Sequence, residues 1–254
     1  MQKETQDGQK ELYKARLVAL GFQEDLKPQS DSPTAQRESL KPFMAICALN
    51  YVENITAIDI KAAFLQSDKL DRDVYMKVPN DIRKEGFVWK LLKPLYGLDD
   101  ASRKFWLKVK DILKREGLEA VPGDPAFYIK RKEGKPEGVI LTHVDDFLLG
   151  GSNDFVEDLI SKMKEELIIS KVEAKKFRFT GVDVEQRPDS IVVSINDYAK
   201  SILPIEDIRN ARKAESLNEE EKKMFRTYVG KISWIAENTH PDLAYSVLKL
   251  WQKS

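Results

Sequence analysis

Residues 138–150 read GVILTHVDDFLLG, two apolar runs on either side of the adjacent acids Asp145 and Asp146. Two short apolar runs that flank polar turn residues are typical of a β-hairpin. The sequence therefore predicts a hairpin that carries two carboxylates at its tip. Asp is also common in ordinary turns, so this pair alone leaves both a simple turn and a metal site open.

A third carboxylate, Asp59, ends another apolar segment. Residues 55–60 (ITAIDI) are typical of a buried strand. If this strand and the hairpin are neighbours in one sheet, then the three acids converge. Clustered buried anions normally hold a cation or shift their pKa values, and without His or Cys nearby the cations that fit are Mg²⁺ or Mn²⁺. The alternative for Asp59 is the N-cap of a helix.

Hydrophobic periodicity predicts the remaining elements, and their order indicates an α+β fold with a helical C-terminal part. The predicted strands other than the hairpin are 13–19, 55–60, 73–78, 87–92, 177–184 and 191–195. The predicted helices are 37–50, 102–116, 153–167, 197–203, 217–236 and a last one that begins at Pro241, and a short helix-like run covers 61–66.

Composition narrows the function classes. The 254 residues carry 42 Lys+Arg and 42 Asp+Glu, and 42% are hydrophobic, which is enough for a core. The single cysteine, Cys47, excludes a disulfide framework and a Cys-rich zinc site. The two histidines, His143 and His240, lie far apart in the chain and argue against a His-based metal site. Without a long apolar run or a signal region we expect a globular, intracellular protein that does not enter a membrane.

The charges are unevenly distributed. From Arg72 to Lys135 the chain has 16 Lys/Arg and 10 Asp/Glu, a surplus of 16 − 10 = 6 positive charges. A basic section in a neutral protein fits contact with a polyanion, and it equally fits solvated helix faces.

Several segments in order resemble the reverse transcriptase of copia-type LTR retrotransposons, over roughly residues 12 to 250. The strings are YKARLVALGF (13–22), DSPTAQRESL (31–40), AIDIKAAFLQ (57–66), DVYMKVP (73–79), VWKLLKPLYGLDDASRKFW (88–106), ILTHVDDFLLGG (140–151), FTGVDV (179–184) and FRTYVGKISWIAENTHPDLAYSV (225–247). The resemblance implies a right-hand polymerase: fingers in 1–55, a palm in 56–195 with an inserted fingers segment at about 75–100, and a helical thumb in 196–254.

The family's activity would be RNA-directed DNA synthesis, in which a primer 3′-hydroxyl attacks a dNTP by two-metal phosphoryl transfer. By the resemblance, Asp59, Asp145 and Asp146 match the catalytic aspartates. Asp59 and Asp145 would hold two Mg²⁺ ions, or Mn²⁺ in their place. Asp146 and the backbone carbonyl of Ile60 would be supporting ligands.

The resemblance also assigns residues that would contact the incoming dNTP. Phe64 matches an aromatic steric gate, a ring that clashes with a 2′-hydroxyl; its alternative is a core Phe. Lys14 and Arg16 match the fingers strand at the triphosphate, and their alternative is an exposed strand face. Tyr96 and Gly97 match the loop under the nucleotide and template base, where Gly97 is alternatively a plain turn residue.

A strand that grips the primer is matched by Phe179, Thr180 and Gly181, although Phe179 is equally a core candidate. The expected partners are an RNA or DNA template, a primer, dNTPs, and the ribonuclease H and integrase regions of a parent polyprotein. Localisation in a cytoplasmic virus-like particle or the nucleus follows from the same resemblance. The alternative function is a domesticated or inactive scaffold that binds nucleic acid.

Two departures from the family pattern concern the proposed sites. His143 stands where many relatives have Tyr, and we expect it beneath the hairpin rather than in catalysis. Asp99 and Asp100 stand where Lys-Gln is frequent, and this predicts negative charge beside the nucleotide-binding loop.

Overall fold

The computed structural model describes residues 2–3, 12–13, 15–50, 52–82, 85–204 and 217–253. The chain divides into two compact units, Met1–Ala174 and Lys175–Ser254. The expected palm–thumb boundary, between 195 and 196, therefore lies inside the second unit. In the part of the chain that the structure describes, no helix is long and apolar enough to cross a membrane.

In its described residues, the first unit combines strands with three α-helices. Its strands are β1 (Gln2–Lys3), β2 (Leu12–Tyr13), β3 (Asn54–Ile60), β4 (Val74–Lys77), β5 (Val88–Leu91), β6 (Glu119–Val121), β7 (Asp124–Lys132), β8 (Lys135–His143), β9 (Asp146–Gly151) and β10 (Ile169–Ala174). Its helices are α1 (Leu40–Leu49), α2 (Ala101–Arg115) and α3 (Asn153–Glu166).

The central sheet has the order β10-β3-β9-β8-β7-β6, and all neighbouring strands are antiparallel. The predicted hairpin is confirmed as β8 and β9, and the predicted strand at 55–60 is confirmed as β3. These two elements are direct neighbours, since β3 pairs with β9. Asp59 and the hairpin tip are therefore at the same end of the sheet.

Both faces of the hairpin are covered, which is why its sequence is apolar without alternation. On one face Phe147 and Leu149 belong to the core cluster with residues of α2 and α3. Successive residues of a strand point to opposite faces. A Cβ on the next residue, Gly150, would lie 2.5 Å from Cys47 Sγ of α1, so α1 packs tightly on the other face.

The predicted strand at 13–19 is wrong beyond Tyr13, because residues 15–20 form no ladder. This segment is attached by isolated backbone bonds, from Ala19 N to Tyr96 O (2.7 Å) and from Gly21 N to Gly97 O (3.1 Å). The strands predicted at 73–78 and 87–92 are confirmed as the two-stranded sheet of β4 and β5.

The second unit pairs a small sheet with helices. Its strands are β11 (Lys176–Phe179), β12 (Val182–Gln186) and β13 (Ile191–Ser194), and its helices are α4 (Asn196–Lys200), α5 (Glu219–Asn238) and α6 (Ala244–Trp251). The single strand predicted at 177–184 is wrong: Thr180 (φ 45°) and Gly181 (φ 86°) make a left-handed turn that separates β11 from β12. Pro241 begins a 3-10 turn that leads into α6.

Candidate active site

Backbone pairing brings the three candidate acids to one end of the sheet. Asp59, the penultimate residue of β3, is directly opposite Asp146, the first residue of β9. Asp145 lies in the turn between β8 and β9, and its carbonyl accepts a hydrogen bond from Ile60 N at 2.8 Å. Val144 in the same turn has φ 55°, which tightens the connection. The acids therefore occupy neighbouring backbone positions.

These carboxylates affect one another electrostatically. Burial raises the pKa of Asp146, and the charges of Asp145 and Asp59 raise it further. His143, which is opposite Asp146 across the hairpin, partly offsets this shift. A cation beside the three acids would relieve this repulsion.

The fit of a divalent metal can be tested on the side chains as they stand. Oxygen donors without His or Cys suit Mg²⁺ or Mn²⁺. The Asp59 carboxylate, however, accepts a hydrogen bond from the Ser170 hydroxyl of β10. Among the described residues no group of three His, Cys, Asp or Glu side chains is placed to hold a metal ion. The donor chemistry fits a hard divalent cation, but the side chains of Asp59, Asp145 and Asp146 as they stand are not gathered around one position.

A cleft of about 730 Å³ opens beside the acids, and Asp59 and Asp145 line its wall. Four cationic residues also line it: Arg16, Lys61, Lys90 and Lys93. A cavity that combines carboxylates with cations can bind an anion and a metal together. Sequence reasoning missed Lys61, Lys90, Lys93 and Ser170, because exposed or edge-strand polar residues carry no periodic signal.

Tyr96 lies at the centre of the predicted nucleotide-contacting residues. Its ring centroid is 4.7 Å from that of Phe64, and the Arg16 guanidinium lies 5.7 Å from the Tyr96 ring. Burial raises the pKa of Tyr96, as do Asp145 and Asp59, whereas Arg16 lowers it. The structure thus brings Arg16, Phe64 and Tyr96 into the neighbourhood of the acids. Lys14 lies outside the described residues.

Gly97 permits a backbone approach that no other residue allows. It has φ 93°, and a Cβ there would lie 2.0 Å from the carbonyl oxygen of Ala19. Since left-handed φ is costly for residues with a Cβ, both conformation and space require glycine. The contact fixes the segment that carries Arg16 against the loop that carries Tyr96.

Asp99 and Asp100 were predicted to put negative charge beside this loop, and the structure compensates the charge of Asp100 with Arg72. The Asp100 carboxylate is buried and receives two hydrogen bonds from Arg72, at 2.6 and 3.0 Å. Arg72 also binds Glu24 through two bonds, at 2.5 and 3.0 Å. Asp99 lies 3.6 Å from Lys27 in a more exposed ion pair. Asp100 therefore stabilises the loop through its hydrogen bonds with Arg72, which also binds Glu24.

The three residues matched to a primer grip lie in the second unit. Phe179 ends β11 and is only 2% exposed. Thr180 and Gly181 form the left-handed turn to β12, and the space above Gly181 is bounded by Trp234 of α5. Phe179 is therefore a core residue of this unit, and the turn presents Thr180 and Gly181.

Comparisons with known proteins identify what the chain is similar to. Residues 1–216 match the family model described as "Reverse transcriptase (RNA-dependent DNA polymerase)". The chain is 27% identical to the Retrovirus-related Pol polyprotein from transposon TNT 1-94 of Nicotiana tabacum, over 92% of this chain and 20% of that protein. It is 26% identical to the Retrovirus-related Pol polyprotein from transposon RE1 of Arabidopsis thaliana, over 97% of this chain and 18% of that protein. The chain thus spans about a fifth of the length of these relatives.

A solved structure shares the fold. It is the foamy viral protease-reverse transcriptase dRH in complex with ds DNA, with a TM-score of 0.50 and 16% identity. The likeness covers 100% of this chain and 38% of that one.

Proposed function

Because the chain belongs to the reverse transcriptase (RNA-dependent DNA polymerase) family, we propose that it extends a primer 3′-hydroxyl with deoxynucleoside triphosphates on an RNA or DNA template. The resemblance to copia-type retrotransposon reverse transcriptases predicted from the sequence is confirmed by the Pol polyproteins among its relatives. In the proposed right-hand arrangement, 1–55 and about 75–100 are fingers, the rest of 56–195 is palm, and 196–254 is thumb.

One observation carries the proposal: Asp59 is opposite Asp146, one residue from Asp145, at a cleft that also contains Arg16 and Tyr96. Nucleotidyl transfer requires anionic groups that hold cations next to cationic groups that receive a triphosphate. Residues of the first unit that line this cleft supply both the anionic and the cationic groups.

When bound at Asp59 and Asp145, with Asp146 and the Ile60 carbonyl in support, two Mg²⁺ or Mn²⁺ ions would activate the primer hydroxyl and neutralise the leaving pyrophosphate. The chain's own part includes the orientation of Asp59, whose carboxylate accepts a hydrogen bond from the Ser170 hydroxyl. A cation there would also relieve repulsion on Asp146, whose pKa is raised first by burial and then by the charges of Asp145 and Asp59.

The remaining residues orient the nucleotide. Arg16, with Lys14 as its proposed companion, binds the triphosphate. Tyr96 contacts the base and sugar. Gly97 holds Tyr96 against the fingers segment that contains Ala19. Phe64, in ring contact with Tyr96, excludes a 2′-hydroxyl. Phe179, Thr180 and Gly181 are proposed to contact the primer.

Primer extension tests this proposal directly. Incorporation of dTTP on poly(rA)/oligo(dT) with Mg²⁺ should fall at least about a hundredfold in Asp145→Asn, because cations at such sites contribute several kcal/mol to transition-state stabilisation. Asp111→Asn is the matched control, since Asp111 is an exposed acid of α2 outside the cleft. We expect it to retain full activity.

Equal incorporation by wild type and Asp145→Asn, or none by either, would overturn the proposal and favour a scaffold that binds nucleic acid without turnover. Chelation of the metal by EDTA should abolish incorporation by the wild type, and it should be restored by added Mg²⁺.

A further inference from the structure

The chain reverses direction immediately after the active-site strand β3. Ala62 adopts a left-handed conformation (φ 48°), and Ala63–Gln66 form one turn of 3-10 helix. Short 3-10 turns have few internal hydrogen bonds, here Leu65 N to Ala62 O (3.0 Å) and Ser67 N to Phe64 O (3.2 Å). The position of this loop therefore depends on contacts with the surrounding structure.

The side chain of Gln66 makes three of those contacts, all of them hydrogen bonds. Its amide nitrogen donates to the carbonyl of Lys61 at 2.5 Å and to the carbonyl of Ile168 at 3.2 Å. Its amide oxygen accepts from the backbone nitrogen of Ile168 at 2.6 Å. Gln66 thus joins the two ends of the loop to each other and to the connection between α3 and β10.

Lys108 of α2 fixes the backbone of the same residue. Its ammonium donates to the carbonyl of Gln66 at 2.9 Å and to the carbonyl of Glu166, at the end of α3, at 3.4 Å. Hydrogen bonds from a charged donor are stronger than neutral ones. The loop after β3 is therefore attached to α2, α3 and β10 through Gln66 and Lys108.

Phe64 of this loop reaches the cleft through its ring contact with Tyr96, which lines the cleft wall. It is half-buried and packs against both the central core and the cluster around Leu95 and Leu98. Its ring lies 4.7 Å from Tyr96. Because Phe64 lies two residues before Gln66, a shift of the Gln66 backbone moves its ring relative to Tyr96.

We infer that Gln66 and Lys108 are positioning residues that set the discrimination between deoxyribo- and ribonucleoside triphosphates by holding Phe64 in place. This inference rests on the proposed function, in which Phe64 excludes the 2′-hydroxyl. Exclusion by contact depends steeply on distance, so a displacement on the order of 1 Å is enough to change it. Neither residue needs to touch the nucleotide.

The test is the ratio of kcat/KM for dGTP to kcat/KM for GTP on poly(rC)/oligo(dG). We expect the ratio to fall about three- to tenfold in Gln66→Glu, a size typical of coupled residues in contact. Glu keeps the length and the acceptor of Gln66 but cannot donate to the carbonyls of Lys61 and Ile168. Lys108→Met, which leaves the Gln66 side chain intact, should lower the ratio in the same direction.

A purely structural defect reduces the amount of active enzyme for both nucleotides equally and leaves this ratio unchanged. Gln36→Ala is the matched control, because Gln36 also donates to a distant carbonyl, that of Gly123 at 2.9 Å, but lies outside the cleft. Phe64→Val should relax the ratio most. Since Gln66 acts through Phe64, adding Gln66→Glu to Phe64→Val should relax it no further.

An unchanged ratio in both Gln66→Glu and Lys108→Met, in an enzyme that incorporates dGTP, would overturn the inference and leave the proposed function intact. Additive effects in the double variant, or an unchanged ratio in Phe64→Val, would also overturn it. Absence of incorporation by the wild type would instead overturn the proposed function.

Discussion

Replacement of Arg72 by methionine is expected to destabilise the first unit strongly. The Arg72 side chain is 12% exposed and binds Glu24 and Asp100 together, and the side chain of Asp100 is 2% exposed. The two carboxylates raise the pKa of Arg72 above its usual value. Without the guanidinium, two acids remain close together with no cation between them.

The size of the effect follows from this burial. Removing one partner of a buried ion pair costs about 3–5 kcal/mol of unfolding free energy, because an uncompensated charge is left inside. The exposed pair of Lys90 and Asp73, at 2.6 Å with side chains 47% and 62% exposed, provides the control. Such surface pairs contribute about 0–1 kcal/mol, which is the loss expected for Lys90→Met.

The assay is urea unfolding at pH 7, monitored through hydrogen exchange in peptides of β3, β8 and β9. These peptides report on the first unit separately from the second. A second variant tests the cause: Arg72→Met combined with Asp100→Leu should recover part of the loss, because the most buried unpaired charge is gone. A loss in Arg72→Met no larger than in Lys90→Met would refute the reasoning. Failure of the double variant to recover any stability would argue that packing, rather than charge, dominates.

Two further predictions address backbone and burial. Gly97→Ala should lower the free energy of unfolding by about 3 kcal/mol, because its Cβ would meet the Ala19 carbonyl oxygen at 2.0 Å. The control Gly86→Ala, also at positive φ but in open space, should lower it by about 1 kcal/mol. Equal shifts of the two melting temperatures would contradict this. Burial raises the pKa of the Cys47 thiol from 9.0 to about 12, so at pH 8 it should hold about a thousandfold less thiolate than an ordinary cysteine. Thiol labelling should therefore be negligible in native protein and complete in urea, and rapid native labelling at pH 8 would show that Cys47 is accessible.

Much of the fold could be predicted because buried strands and helices have characteristic apolar patterns in the sequence. The continuous apolar runs of β3, β8 and β9 mark strands covered on both faces, and the helical spacing in α2 and α3 marks one buried side. Strands β6, β7 and β10 were not predicted because the apolar pattern is weaker there. Pro122 and Gly123 connect β6 to β7, and Pro125 is the second residue of β7, so turn residues obscure the start of that strand. The edge strand β10 is mostly exposed and has few apolar residues to mark it.

The order of residues along the chain was sufficient to select Asp59, Asp145 and Asp146 and to indicate the family, since both depend on residue types at local spacings. The partners of those side chains were decided by tertiary packing alone. Ser170, which binds the Asp59 carboxylate, is 111 residues away from it, and Arg72 reaches Glu24 and Asp100 across 48 and 28 residues. Such contacts form only after the sheet and helices have packed, and no local pattern records them, because a hydrogen bond depends on the distance between atoms and not on their separation in sequence.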